Sequence, residues 1–298
     1  MNEHFYAVIM AGGGGTRLWP LSRQNRPKQM LRLVSNRSLF QMATDRLEGL
    51  FPADHIYVVT VADQATELQK QSPHIPAENY ILEPMPRGTA SVVGLAAVVL
   101  QKRDPQAVMA VLTADHFIEN VAGFQHILVS AAQLAQRGYL VTLGIQPSFP
   151  ATGYGYIQRG ERLGDSGQQE AFRVVKFKEK PNEEHAREML ELGDHLWNSG
   201  MFIWRVDRIQ EEFNRQMPEL AHILDQIAAS WSTAWQTETL KKLWPQIKPQ
   251  TIDYGIMEHA EQVAVLPGVN LGWSDLGSWD SLFDVLPGDQ NGNIRIGA

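Results

Sequence analysis

The sequence predicts an α/β protein built on a doubly wound, mostly parallel sheet. Three observations carry this expectation. Short β-branched apolar runs recur along the first half, helix-length stretches separate them, and glycine-rich or acidic turns follow where the runs end. The runs are Ala7–Met10, Ile56–Val61, Val108–Leu112 and Leu140–Gly144. Between them the patterning predicts helices over Ser38–Leu50, Gln64–Gln71, Thr89–Arg103 and Gly123–Arg137. Such alternation implies right-handed crossovers and a parallel sheet, whose ligands bind beyond the carboxyl ends of its strands. The glycine run from Gly12, the pair Glu83-Pro84 and the triplet Ala114-Asp115-His116 all fall in that zone.

The first strand runs into Met10-Ala11-Gly12-Gly13-Gly14-Gly15-Thr16-Arg17. Lacking β-carbons, a glycine run turns several backbone N–H groups toward one point and admits a bulky anion. Arg17, and Lys28 within Arg26-Pro27-Lys28-Gln29, add fixed positive charge, so the loop is expected to hold phosphate. It is not a dinucleotide fingerprint. Arg17 stands where that motif needs a small residue, Pro20 follows too soon, and Leu31 to Arg37 contains no carboxylate. Nor is it a Walker loop, because Gly15 precedes Thr16-Arg17 and not Lys-Ser or Lys-Thr. A plain linker is the weaker explanation, since four glycines lose much chain entropy on folding. Arg23 and Arg26 read as solvated surface.

Asp115 follows the strand Val108–Leu112, and Asp275 lies far along the chain in Trp273-Ser274-Asp275. Hard oxygen ligands on two loops suit Mg²⁺, which takes one or two carboxylates beside substrate phosphates. An aspartate capping the next helix is the alternative for either. His116 reads as structural, because the remaining histidines show no metal-ligand spacing. Trp273 and Trp279 read as packing residues.

After Pro150 the pattern changes. Tyr154–Arg159, Phe172–Glu179 and Met201–Arg205 are strand-like, with a polar glycine-containing turn at Gly160–Gln169 and a charged helix at Glu183–Leu192. A second, smaller β lobe over the same sheet is expected, covered by a helical layer across Asp207–Leu243. Gly153 and Gly155, flanking Tyr154, permit close backbone approach to a ligand. Asn198 offers both donor and acceptor to vicinal hydroxyls. Taken alone, Glu179-Lys180 reads as a surface ion pair at a strand end.

Composition narrows the class. The chain of 298 residues is 44% hydrophobic and 20% charged, as in soluble globular proteins. It has no cysteine, which excludes disulfides and thiolate metal sites and fits a reducing, cytoplasmic setting. A net charge of −7, without a basic cluster interleaved with aromatics, argues against nucleic acid as a partner. The apolar run Ala90–Leu100 is too short to span a membrane, and no signal-like segment opens the chain.

The order from Gly12 to Arg23, with Trp19-Pro20 inside it and Pro27-Lys28-Gln29 behind it, resembles the signature of sugar-1-phosphate nucleotidyltransferases. Trp19 and Gln29 place the likeness nearest the mannose-1-phosphate guanylyltransferase branch. The resemblance continues through Glu83–Ala90, Ala114–His116, Thr152–Ile157, Glu179–Pro181, Trp197–Phe202, Ile252–Tyr254 and Gly272–Trp279. It implies a Rossmann-like catalytic domain over 1–285, with a nucleotide half (1–150) and a sugar-phosphate half (151–285). It also implies guanylyl transfer from GTP to mannose 1-phosphate, assisted by Mg²⁺ on Asp115 and Asp275. Ala11, Gly12, Gly13, Gly14, Gly15 and Thr16 would hold the nucleotide phosphates, and Glu83, Pro84, Gly88 and Thr89 the base and ribose. Arg17 would grip the β- and γ-phosphates, and Lys28 the α-phosphate or the incoming phosphate. Glu179 would meet mannose hydroxyls beside Gly153, Tyr154, Gly155 and Asn198, and Lys180 the sugar phosphate. Relatives continue into a C-terminal helix and β-helical turn with dimer contacts. A homodimer is a possibility the resemblance leaves open, and 286–298 reads as the start of a truncated extension, a turn that enters a new strand. The alternatives are the same chemistry on another sugar phosphate or nucleotide, or a sugar-nucleotide sensor without turnover. A sensor would be expected to lose Arg17, Lys28, Asp115 or Asp275.

Overall fold

The computed structural model describes residues 3–13, 18–167, 169–286 and 288–294. One nine-stranded sheet organises them. Its strands are β1 (Phe5–Met10), β2 (Ile56–Val61), β3 (Tyr80–Glu83), β4 (Val108–Thr113), β5 (Leu140–Ile145), β6 (Gly155–Ser166), β7 (Gln169–Glu179), β8 (His195–Arg205) and β9 (Val263–Pro267). They lie in the order β3-β2-β1-β4-β8-β5-β9-β7-β6. β1 pairs in parallel with β2 and β4, β2 with β3, and β5 with β9. β8 runs antiparallel between β4 and β5, and β7 runs antiparallel to β9. The doubly wound, mostly parallel expectation is met, with β7 and β8 as the reversed strands.

Both faces of the sheet are covered, and β1 shows why its sequence is apolar at nearly every position. Tyr6 and Val8 enter a core shared with α3 (Thr89–Arg103), α6 (Val206–Gln216) and α7 (Pro218–Ser230). Phe5, Ala7 and Ile9 enter the opposite core with α1 (Leu39–Asp45), α2 (Ala62–Gln71) and α4 (Val121–Gln136). A strand covered on both sides loses the polar alternation of a half-exposed one. α5 (Glu183–Leu192) and α8 (Gln236–Leu243) complete the expected helices, and α9 (Trp279–Val285) is capped by Ser278.

Two local expectations are corrected. Gly160–Gln169 is not a loop: β6 continues to Ser166 and turns at Gly167. Its polar residues pair across the hairpin, Arg162 with Glu170 at 3.0 Å and Arg173 with Glu161 at 2.8 Å, as opposite charges facing one another across strands do. The helix expected over Ser38–Leu50 stops at Asp45. Residues 288–294 turn, with Gly292 N–H donating to Asp289 O at 2.9 Å, and the strand expected after Ile294 lies outside the described residues.

Candidate active site

The first strand delivers its loop to a cleft of about 1570 Å³ lined by Gly12, Gln64, Pro84 and three arginines, Arg23, Arg26 and Arg32. Arg23 and Arg26 are exposed, as their spacing suggested, but they also line this cleft. Gln29, buried, pins the loop from below. Its amide donates to the Ala11 carbonyl at 2.9 Å, to that of Gly13 at 3.2 Å and to Gln64 Oε1 at 3.0 Å. Ala11 N–H donates to Val59 O at 2.9 Å, which fixes the loop's departure from the sheet. Glu83, at the end of β3, is 2% exposed and its Oε2 has no hydrogen-bond partner. Burial pushes its carboxyl up to about 7. A β-carbon on Gly12 would stand 2.6 Å from Glu83 Oε1, so glycine is required where loop and carboxyl meet. Gly14, Gly15, Thr16 and Arg17 lie outside the described residues.

Lys28 opens a short helical turn, Lys28–Met30, and is 3% exposed. Its ammonium donates to Asp115 Oδ2 at 2.8 Å and to the main-chain carbonyl of Asp275. The two aspartates come from distant loops that are tied to each other. Phe117 N–H donates to Ser274 O at 2.9 Å, and Ser274 N–H returns to Phe117 O at 3.1 Å. Asp275 Oδ1 accepts from Gly277 N–H and from the Tyr154 hydroxyl, each at 2.9 Å. His116 is largely buried and accepts from Trp273 Nε1 at 3.2 Å through Nδ1. Burial pushes its imidazole down to about 4, so it is neutral. Among the described residues no cluster of three or more acidic or histidine side chains could hold a metal ion. Lys28 thus joins the Asp115 side chain to the main chain of Asp275.

A second group lies at the ends of β6, β7 and β8. Tyr154 is held edge-on between Trp197 and Trp273, with ring centroids 5.0 and 5.6 Å away. Gly153 faces open space. Gly155 has none: its β-carbon would stand 2.3 Å from Glu179 Oε2 and 3.2 Å from Asn198 Cβ. Glu179 Oε2 is buried without a partner, while Oε1 pairs with Lys180 Nζ at 3.1 Å. Lys180 turns out of β7 with φ +45°, a conformation unusual for a residue with a β-carbon. Asn198 Nδ2 donates to Asp253 Oδ1 at 2.8 Å. The Asp253 carboxyl is pushed up to about 6, by burial first and then by the Glu179 charge.

Asp253 is the residue that sequence reasoning passed over, although its segment Ile252–Tyr254 carried part of the resemblance. Gly88 and Thr89 bind that same segment. Gly88 has φ +86°, and a β-carbon there would meet Gln250 O at 2.2 Å. The Thr89 hydroxyl accepts from Ile252 N–H at 2.9 Å. The mouth of α3 is thereby joined to the loop bearing Asp253.

The sequence matches the Nucleotidyl transferase family over residues 6–292. The chain belongs to this family. Among curated nucleotidyl transferase relatives, the mannose-1-phosphate guanylyltransferase of Salmonella montevideo is 40% identical over 97% of the chain and 62% of its own length. That of Klebsiella pneumoniae is 39% identical with the same coverages. The chain thus spans somewhat under two thirds of these relatives. The crystal structure of mannose-1-phosphate geranyltransferase from Thermus thermophilus superposes with a TM-score of 0.84 and 33% identity, covering 95% of this chain and 79% of that one. No helix among the described residues is long and apolar enough to cross a membrane.

Proposed function

We propose that this nucleotidyl transferase moves a guanylyl group from GTP to α-D-mannose 1-phosphate, giving GDP-mannose and pyrophosphate. The observation that carries the reading is the convergence of buried Lys28 with Asp115 and Asp275 beside the glycine loop. The names borne by the Salmonella and Klebsiella relatives supply the substrates.

The chemistry needs no general base. A phosphate monoester has its second pKa near ~6, so the sugar phosphate is already an anion at neutral pH. The task is to bring two polyanions together and to stabilise charge on departing pyrophosphate. The loop N–H groups and Arg17 bind the β- and γ-phosphates. Lys28 orients the reacting phosphates with a charge that its neighbours hold in place. Gly88, Thr89, Glu83 and Pro84 form the base and ribose side. Glu179, Asn198 and Asp253 meet the sugar hydroxyls, and Lys180 the sugar phosphate. Asp115 and Asp275 suit Mg²⁺, because two hard carboxylates leave such an ion room for waters and phosphate oxygens. When bound, it would neutralise charge on the triphosphate. A cytoplasmic location and a homodimer belong to the same reading.

The test is pyrophosphate release from GTP, mannose 1-phosphate and Mg²⁺, run beside ATP, UTP, dTTP and glucose 1-phosphate. Release that needs GTP and mannose 1-phosphate together supports the proposal. Turnover with another pair replaces the substrates but keeps the chemistry. Silence with every pair, from folded protein that binds GTP, rejects catalysis by this chain.

A further inference from the structure

Arg46 lies just past α1 and is 4% exposed. Its two terminal nitrogens bracket Asp115. One donates to the Thr113 carbonyl and the other to the His116 carbonyl, both at 3.0 Å. The planar fork of a guanidinium is suited to hold two acceptors in fixed relation, which a lysine cannot do. The group is itself held in place. It lies 5.3 Å over the Phe124 ring, and Gln125 Nε2 donates to the Arg46 carbonyl at 2.9 Å.

A buried cation is costly unless it is compensated. Burial pushes the Arg46 guanidinium down to about 10, against the opposing pull of the Asp115 charge, so it remains charged at neutral pH. Among the described residues no carboxylate forms an ion pair with it. Its two hydrogen bonds go to the last residue of β4 and to the residue after Asp115, so both clasp the segment that carries the acid. A residue needed only to fasten α1 to the core would be served by an apolar side chain at less cost in desolvation.

We propose that Arg46 is a positioning residue for nucleotidyl transfer, fixing the Thr113–His116 segment so that the Asp115 carboxylate keeps its place against Lys28 at the proposed phosphate site. This rests on the function proposed above. Lys28 holds the Asp115 carboxylate itself, at 2.8 Å, and Arg46 holds the main chain on either side of it, so two cations from different parts of the chain fix the acid.

The experiment compares Arg46→Lys, Arg46→Met and the gentler Gln125→Met with wild-type protein. Two readouts are used: steady-state turnover and amide hydrogen exchange followed by mass spectrometry without substrate. For Arg46→Lys the expected result is a fall in kcat of about 10-fold, with KM for GTP within about threefold of wild type. Exchange should rise at least tenfold across 113–118 and stay unchanged in β5 and α3. Arg46→Met, which also loses the charge, should lower kcat further, to about 100-fold below wild type. Gln125→Met should shift both readouts in the same direction by less. Folded variants with faster exchange spread over α1 and α4, and unchanged kcat per folded molecule, would assign Arg46 a purely structural role and overturn the proposal. Wild-type exchange across 113–118 in Arg46→Lys would overturn it as well. If wild-type protein itself showed no turnover, the proposed reaction would fall, and the exchange data would still report whether Arg46 holds the segment.

Discussion

The Tyr154 hydroxyl donates to the Asp275 carboxylate at 2.9 Å, across 121 positions of sequence. The same Asp275 oxygen accepts from Gly277 N–H, so the carboxylate is held from both sides before any substrate arrives. Tyr154 follows β5 and precedes β6, whereas Asp275 lies beyond β9. Their bond is a direct tie between the loop proposed to meet the sugar and the acid proposed to serve the phosphate side. Tyr154→Phe keeps the ring between its tryptophans and removes only the donor. A hydrogen bond to a charged group is worth about 1.5–3 kcal/mol, and part of it is retained through Gly277. The expected outcome is a kcat about tenfold lower, with a folded protein by circular dichroism. Wild-type kcat would show that the bond is idle in turnover.

Lys28→Met leaves two carboxylate loops without their shared cation. Removing one preorganised charge-stabilising donor typically costs about 10²–10³ in kcat, and a loss of that size is expected here. Because Lys28 is buried, the variant's melting temperature should drop too. Asp275→Asn separates the two effects, since its amide oxygen still accepts from Gly277 and Tyr154. That variant should melt close to wild type yet lose nearly all turnover. Near-normal pyrophosphate release would remove Asp275 from the reaction.

Gly155→Ala drives a methyl group into Glu179 and Asn198. Both must shift, and the sugar side should suffer alone. KM for mannose 1-phosphate is expected to rise at least tenfold, with KM for GTP unchanged. Equal increases in both constants would show that the two groups of residues do not act on separate substrates.

Glu83 predicts a pH dependence of stability. Its carboxyl titrates near 7 in the folded chain against 4.5 as the ordinary value, because burial disfavours the charge. Between those values the folded protein retains a proton that the unfolded chain has released. Stability from this group is therefore complete below 4.5 and is lost as pH rises through 7, by about 3 kcal/mol in all. Glu83→Gln carries no such charge. Melting curves without ligand should show the variant gaining on wild type between pH 5 and 8, and parallel curves would contradict the assignment.

The strands of the first half were legible because both their faces are covered, leaving apolar runs that end at turns. The hairpin β6/β7 was misread because Gly160 and Gly164 look like turn residues. Instead the ladder shifts register along that stretch, and Gly164 takes φ +92° within it, as glycines at bulges do. Glu179-Lys180 looked like a surface pair, yet the Glu179 side chain is 11% exposed against 56% for Lys180. Neighbours in sequence gave no hint that β6 and β8 close over the glutamate alone. Arg46 and Asp253 were invisible as site candidates for the same reason. Their partners lie dozens of positions away, and only the folded backbone brings them together.

The place of β8 bears on how the chain comes into being. Encoded after residue 194, it fills the gap between β4 and β5, which were translated much earlier. Until it arrives, both of those strands present unpaired backbone edges, the kind of surface that recruits stray chains. During synthesis the nascent first half is thus an open fan whose middle slat is missing. Its sheet cannot shut until β8, ending at 205, and then β9, ending at 267, have left the ribosome. The interval before that closure is when its strand edges are most open to pairing with another chain.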